Sequence, residues 1–370
     1  MSSGRWKRYG LLFVGILVFS GCSDRLSTHT ATPAPTTTAV QVAKVEATPT
    51  QDILWPTEGW QLSTPEDQGL DSTKLDDMSS FVRNNIPAAR SILVVRNGYL
   101  VYEDYIKGEE TYSGPIWSAT KSVLSALIGI ALEDGHLGDI DDKLVDYLGE
   151  YVTEETDSRF DEISLRHLLT MTAGFPYQSG GSRNLPAAFR EELVSEPGQV
   201  ASYSSTSTHL LSGILQEATG LSASEMANDR IFKPLGISEP IWSADAFGIN
   251  MGGYGLYLTP RDMAKFGYLY LNEGHWEGEQ IIPTDWVKSS TMRQAEAGLP
   301  EIQGYADYGY LWWVIPFGEY DAFAAFGAGG QNILVVPEVD LIIVTTTDTT
   351  TTMSLSTVAM RYILPAIKEE

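Results

Sequence analysis

The segment of this chain best suited to covalent chemistry is Ser118-Ala119-Thr120-Lys121. On a helix, positions three apart share a face, so the Ser118 hydroxyl and the Lys121 amine can meet. A serine hydroxyl is a poor nucleophile until a neighbour takes its proton, and an ammonium cannot do that. The residues that follow, from Val123 to Leu132, are apolar on nearly every side, and a helix that is hydrophobic all round lies inside a protein. Burial of that kind lowers a lysine toward its neutral, basic form. The helix N-terminus also brings N–H donors and a positive dipole end close to Ser118. Ser-x-x-Lys alone is a common string and fits an exposed helix start as well; the apolar helix is what makes Lys121 hard to explain as surface decoration.

Two more segments carry parts such a nucleophile needs. Tyr203-Ser204-Ser205 follows Glu196-Pro197-Gly198 and precedes a helix beginning near Ser207. A phenol beside a lysine can have its pKa lowered and can shuttle a proton between nucleophile and leaving group, although Tyr203 in isolation reads equally as a packed core residue. Phe326-Gly327-Ala328-Gly329-Gly330-Gln331 is a run of small residues entering a strand. Glycines there let a substrate approach the backbone and let N–H groups converge on a developing oxyanion, while the plain alternative is a glycine-rich turn. Other chemistries lack their signatures. His29, His136, His167, His209 and His275 are scattered without metal-ligand spacing, no H-E-x-x-H occurs, and G-x-S-x-G and the phosphate-binding glycine patterns are absent. No metal and no cofactor is expected.

The elements that must hold these groups read as one α+β domain. A capping Asp71 precedes helical spacing at Leu75, Met78 and Phe81, and two β-rich runs then meet at Asn97-Gly98, a hairpin turn. From about Leu137 to Tyr270 short amphipathic helices alternate with Gly- and Pro-rich loops. Four strand-like runs follow, GYLWWVIP, DAFAAFG, QNILVVP and LIIVTTT, and a last helix from about Ser354 to Ile367. Strands at both ends of the chain and helices between them predict an antiparallel sheet built from both termini, flanked by helices, with a mostly helical middle subdomain. Residues 133–162 hold twelve acids and two bases and read as a solvated acidic face. Tyr310, Trp312 and Trp313 are candidates for the wall of an apolar cleft, at least one of them being core.

The chain has 370 residues, 43% of them hydrophobic, which is enough to bury a sizeable core without disulfides. A net charge of −24 repels phosphate backbones and speaks against a nucleic-acid partner. Residues 1–22 place Arg5, Lys7 and Arg8 ahead of an apolar run from Leu11 to Phe19, the pattern of an export signal and too short to span a bilayer comfortably. The only cysteine, Cys22, ends that segment and resembles the lipidated cysteine of a bacterial lipoprotein signal. Residues 23–54 are rich in Thr, Pro and Ala and read as a disordered tether, leaving 55–370 as the folded domain. The expected location is therefore the bacterial cell envelope, periplasmic or extracellular, with a membrane partner only through the lipid anchor.

Taken in order, the three motifs resemble the serine β-lactamase and penicillin-binding-protein superfamily, in particular its class C-like branch, which includes esterases and 6-aminohexanoate-oligomer hydrolases. The resemblance runs from about Trp55 to the C-terminus and extends to SLRHLLTMTAGF at 164–175 and GGYGLYLTPRDMAKFGYLYLNEG at 252–274. It implies a β-lactamase/transpeptidase-like fold, Ser118 as acylated nucleophile, Lys121 and Tyr203 as its proton-transfer partners, and the backbone N–H groups of Ser118 and Gln331 as oxyanion hole. It also implies substrate contacts at Ser205, Ala328, Gly329 and Gly330. Two departures bear on substrate. Ser205 stands where class C β-lactamases carry Asn, and Ala328 where the third motif carries a cation that helps hold a substrate carboxylate. The expected substrate is a small neutral ester or amide; the alternatives are β-lactams or cell-wall peptide, and a catalytically inactive binding protein.

Overall fold

The computed structural model describes residues 55–178, 180–238, 240–296, 306–348 and 355–368; the signal segment and the tether lie outside them. Helix α1 (Ser72–Asn85) is capped by Asp71, whose side chain accepts the Thr73 N–H, and buries Leu75, Met78 and Val82. Strands β1 (Ala89–Arg96) and β2 (Tyr99–Tyr105) follow as a hairpin. Asn97 and Gly98 both take positive φ, 51° and 81°, the pair of left-handed residues that a tight hairpin turn requires. After the two-residue strand β3 (Gly114–Pro115) the chain passes into α2 (Thr120–Glu133), in which every residue from Thr120 to Ala131 is buried.

The middle is helical but broken: α3 (Leu144–Leu148), α4 (Leu165–Leu169), α5 (Leu185–Ala188), α6 (Ser205–Thr219) and α7 (Ala223–Ala227). β4 (Tyr257–Leu258) pairs with β3, and α8 (Pro260–Leu271), the small hairpin of β5 (His275–Trp276) and β6 (Glu279–Gln280), and α9 (Thr284–Ser290) come next. The remaining strands are β7 (Ala295–Glu296), β8 (Asp307–Tyr308), β9 (Trp313–Phe317), β10 (Tyr320–Gly327), β11 (Gln331–Val336) and β12 (Leu341–Thr347), followed by α10 (Leu355–Tyr362).

These strands form an eight-stranded antiparallel sheet in the order β2, β1, β12, β11, β10, β9, β8, β7. Its seam joins the two ends of the chain, with Leu93 opposite Val344 and Val94 opposite Ile343. β11 is buried at all six positions, which is why it reads as a continuous apolar run instead of an alternating one. Helix α8 packs on β1, β11 and β12, while α10 packs on α1 and β12. Helix α2 is wedged between α6, α7, α9 and β10, so its first turn is delivered to the junction of the sheet with the helical middle. The fold is α+β, of the β-lactamase/transpeptidase type.

Candidate active site

Ser118 lies in a single 3-10 turn, Trp117–Ala119, that runs straight into α2. Trp117 is held at a φ of 49°, a conformation that strains a non-glycine residue and is tolerated where the next side chain has to be aimed. The end of β10 presses on the same segment: a Cβ on Gly327 would fall 2.2 Å from the Ile116 carbonyl oxygen, so only glycine lets the hairpin and the Ser118 segment meet backbone to backbone.

Lys121, one helical turn on, is 1% exposed. Its Nζ donates to the Ser205 hydroxyl and to the Gly253 carbonyl, each at 2.9 Å, and lies 3.4 Å from Ser118 Oγ. Burial pushes its pKa down to about 7, and no carboxylate among the described residues opposes the shift. A neutral amine has two N–H groups and one lone pair. The two short contacts use the two N–H groups, and the lone pair is left for the third neighbour, the Ser118 hydroxyl.

Tyr203 precedes α6, whose N-cap is Ser204, and its backbone is tied to Gln178: Gln178 N–H donates to the Tyr203 carbonyl and Ser205 N–H to the Gln178 carbonyl, both at 2.9 Å. The ring stacks on Trp313 at 5.8 Å between centroids and lies 4.7 Å from Lys121 Nζ. The expectation of a lowered phenol pKa is overturned. Burial pushes Tyr203 well above its usual range, the hydrogen bond with Ser118 opposing only in part, and a lysine that is itself close to neutral offers no countering charge. Tyr203 therefore stays a protonated O–H beside Ser118.

Ser205, expected to face substrate, is 2% exposed and is turned to Lys121 instead. Gly329 and Gly330, at φ 86° and 114°, form the tip of the β10–β11 hairpin with the exposed Ala328. Gln331 pairs with Gly327 across that hairpin, and its side-chain amide is buried against Thr347, donating to that residue's carbonyl and hydroxyl at 2.9 Å. Its side chain is thus structural, leaving only its backbone for the role expected of it. Of the three late aromatics, Trp313 walls the site through Tyr203, Trp312 is core against Phe266 and Tyr270, and Tyr310 accepts a hydrogen bond from Arg166.

Sequence reasoning missed the Gly253 carbonyl, although the Gly252-Gly253 pair in the 252–274 passage marked the place. It also missed that His209 is buried against Asp245, a partner 36 residues away that no spacing rule reveals. No group of His, Cys, Asp and Glu among the described residues is arranged to hold a metal ion.

Fold and site together define a β-lactamase/transpeptidase-type protein with Ser118, Lys121 and Tyr203 gathered at the head of an inner helix. Residues 82–366 match the Beta-lactamase family, and the chain belongs to it. It is 23% identical to the 6-aminohexanoate-dimer hydrolase of Paenarthrobacter ureafaciens over 303 residues, 74% of this chain and 75% of that protein. An octameric penicillin-binding protein homologue from Pyrococcus abyssi has the same fold, with a TM-score of 0.65 at 19% identity over 79% of this chain and 77% of its own. EstCE1, a hydrolase with promiscuous acyltransferase activity, superimposes with a TM-score of 0.64 at 18% identity over 82% of this chain and 100% of its own.

Proposed function

We propose that this protein is an exported serine hydrolase that cleaves a small neutral ester or amide through an acyl intermediate on Ser118. The observation that carries the reading is the buried, uncompensated Lys121 amine, 3.4 Å from Ser118 Oγ with its two hydrogens already engaged. Lys121 takes the Ser118 proton as Oγ attacks the substrate carbonyl, and the N–H of Ser118 with one from the Gly327–Gln331 hairpin receives the developing oxyanion. The Tyr203 O–H, hydrogen-bonded to Ser118, passes a proton to the departing alcohol or amine, and Lys121 restores it. Water then attacks the acyl-serine with Lys121 again as base, releasing the acid and regenerating the hydroxyl. The exposed Ala328 offers no charge to a substrate carboxylate, and this favours a neutral substrate over a β-lactam. The names of two relatives, a 6-aminohexanoate-dimer hydrolase and EstCE1, a hydrolase with acyltransferase activity, agree with ester or amide chemistry.

The test compares the protein with Ser118→Ala using a fluorophosphonate probe, p-nitrophenyl esters of rising chain length and a chromogenic cephalosporin. Labelling and ester turnover that vanish in the variant are expected. An unlabelled, inactive native protein would sink the enzyme, and cephalosporin turnover above ester turnover would replace the substrate class. The anchor is proposed at Cys22, and Cys22→Ser is expected to move the protein from the membrane pellet to the soluble fraction; a native protein that is already soluble would remove the anchor.

A further inference from the structure

Just behind the lysine is a buried polar pair that the reaction does not touch. His209 stands one turn beyond Ser205 on α6, and its Nε2 is 3.2 Å from Asp245 Oδ2, the two side chains being 1% and 0% exposed. An ionised carboxylate only accepts, so Nε2 carries the hydrogen and donates it. Burial pushes the imidazole below its usual pKa, with Asp245 and the Asn250 backbone pulling the other way.

Asp245 in turn organises a loop. Its Oδ1 accepts the N–H groups of Phe247 and Ile249 at 2.8 and 3.0 Å. Main-chain bonds from Met251 to Ser243 and from Ser243 to Gly255 continue the structure to the glycines. At Gly252 and Gly253 that loop lies directly against α6, with no room for a side chain. A Cβ on Gly252 would fall 1.9 Å from the Thr208 carbonyl oxygen, and one on Gly253 would fall 2.7 Å from Ser205 Oγ. The two short partners of Lys121 thus come from separate pieces of chain, the Ser205 hydroxyl from α6 and the Gly253 carbonyl from the loop.

We propose that His209 and Asp245 are positioning residues for the general base: their hydrogen bond clamps the 243–253 loop onto the first turn of α6, holding the Gly253 carbonyl and the Ser205 hydroxyl at the separation that turns the Lys121 amine toward Ser118. The inference rests on Lys121 being that base. When the clamp is cut, the loop lifts, water reaches Nζ and the ammonium form regains its hydration. The Tyr203 phenol is the titratable group that faces Lys121, and it stays protonated over the working range, so the acidic limb of the rate profile reports the solvation of the lysine itself.

Initial rates on p-nitrophenyl acetate from pH 5 to pH 9 are to be measured for the full chain and for His209→Ala, Asp245→Ala and Asp245→Asn, with a thermal melt of each. Both alanine variants are expected to lose roughly tenfold to a hundredfold in kcat with a smaller change in KM, as small misplacements of a catalytic group do. Their acidic limb is expected to move up by about one pH unit as the lysine is rehydrated. Asp245→Asn is expected to keep the native limb and rates within a few-fold, because the amide retains the acceptor for the loop N–H groups. Its Nδ2 donates to Nε2 once the imidazole proton has moved to Nδ1. Should an alanine variant fail to fold, Asp245→Ser, too short to reach His209, makes the same measurement. An unmoved limb with rates that merely follow the folded fraction overturns the clamp, as does an Asp245→Asn protein as impaired as Asp245→Ala. A native protein with no acidic limb would remove Lys121 as base, and the clamp with it.

Discussion

Two lysines are buried among the described residues, 1% exposed at Lys121 and 6% at Lys265, and their surroundings differ. Lys265, on α8, donates to the carbonyls of Thr57 and Gly236 at 3.1 Å and so ties the start of the folded domain to the loop after the helical middle. Burial lowers its pKa, but Asp262, three residues earlier, and Glu58 oppose the shift and favour the ammonium. Lys121 also donates to a buried carbonyl, yet no acid among the described residues faces it, and its third neighbour is a serine hydroxyl. Burial is common to both residues and so cannot be what makes a base. The missing counter-charge, and a serine hydroxyl as third neighbour, separate the lysine proposed as base from the structural one.

The strongest way to break this contrast is to remove the base. Lys121→Ala should keep the fold and lose about a hundredfold to ten-thousandfold in the rate of fluorophosphonate labelling, the range expected for general-base catalysis. A labelling rate within threefold of native would hand the proton to Tyr203, against the raised pKa of its phenol. The next largest effect is in pH. With a lysine pKa of about 7, the active neutral form is lost below that value, so ester turnover should rise with pH through about 7 and level off above it. At pH 6 the rate should be about a tenth of the plateau, since one unit below its pKa a group is about nine-tenths protonated. A limb displaced to about pH 9 or above would mean that Lys121 remains an ammonium at neutral pH and belongs with Lys265, and no limb at all would remove it as the base.

What could be read in the sequence follows the range of the interactions. The Asn97-Gly98 turn, the Asp71 cap and the all-round apolarity of α2 are local, and each stands in the structure where local chemistry predicts it. Lys121 was legible as a buried amine for the same reason: its own helix buries it. The raised pKa of Tyr203 is not legible in the sequence because it depends on how deeply Trp313 and Tyr308, more than a hundred residues away, enclose the ring. The turn of Ser205 toward Lys121 is not legible in its motif, which says which residues gather and not which way each one turns. Gly253 and the His209–Asp245 pair depend on a loop folding back over α6, for which neither periodicity nor turn chemistry offers a signal.

The smallest effect tests the structural lysine. Lys265→Met keeps the apolar stem but takes the donor away from two carbonyls and the nearest cation away from Asp262, whose own pKa burial already raises. Leaving such groups unpartnered costs about 1–3 kcal/mol, which in a domain of this size reads as a fall of a few degrees in Tm. Turnover per folded molecule and the acidic limb near pH 7 should both stay where they are, because neither Lys265 nor Asp262 figures among the groups that shift Lys121. A limb that moved in Lys265→Met would show the two amines to be electrostatically coupled. The low pKa of Lys121 would then be a property of the charge distribution around both lysines, and the distinction between a compensated and an uncompensated lysine would no longer explain the site.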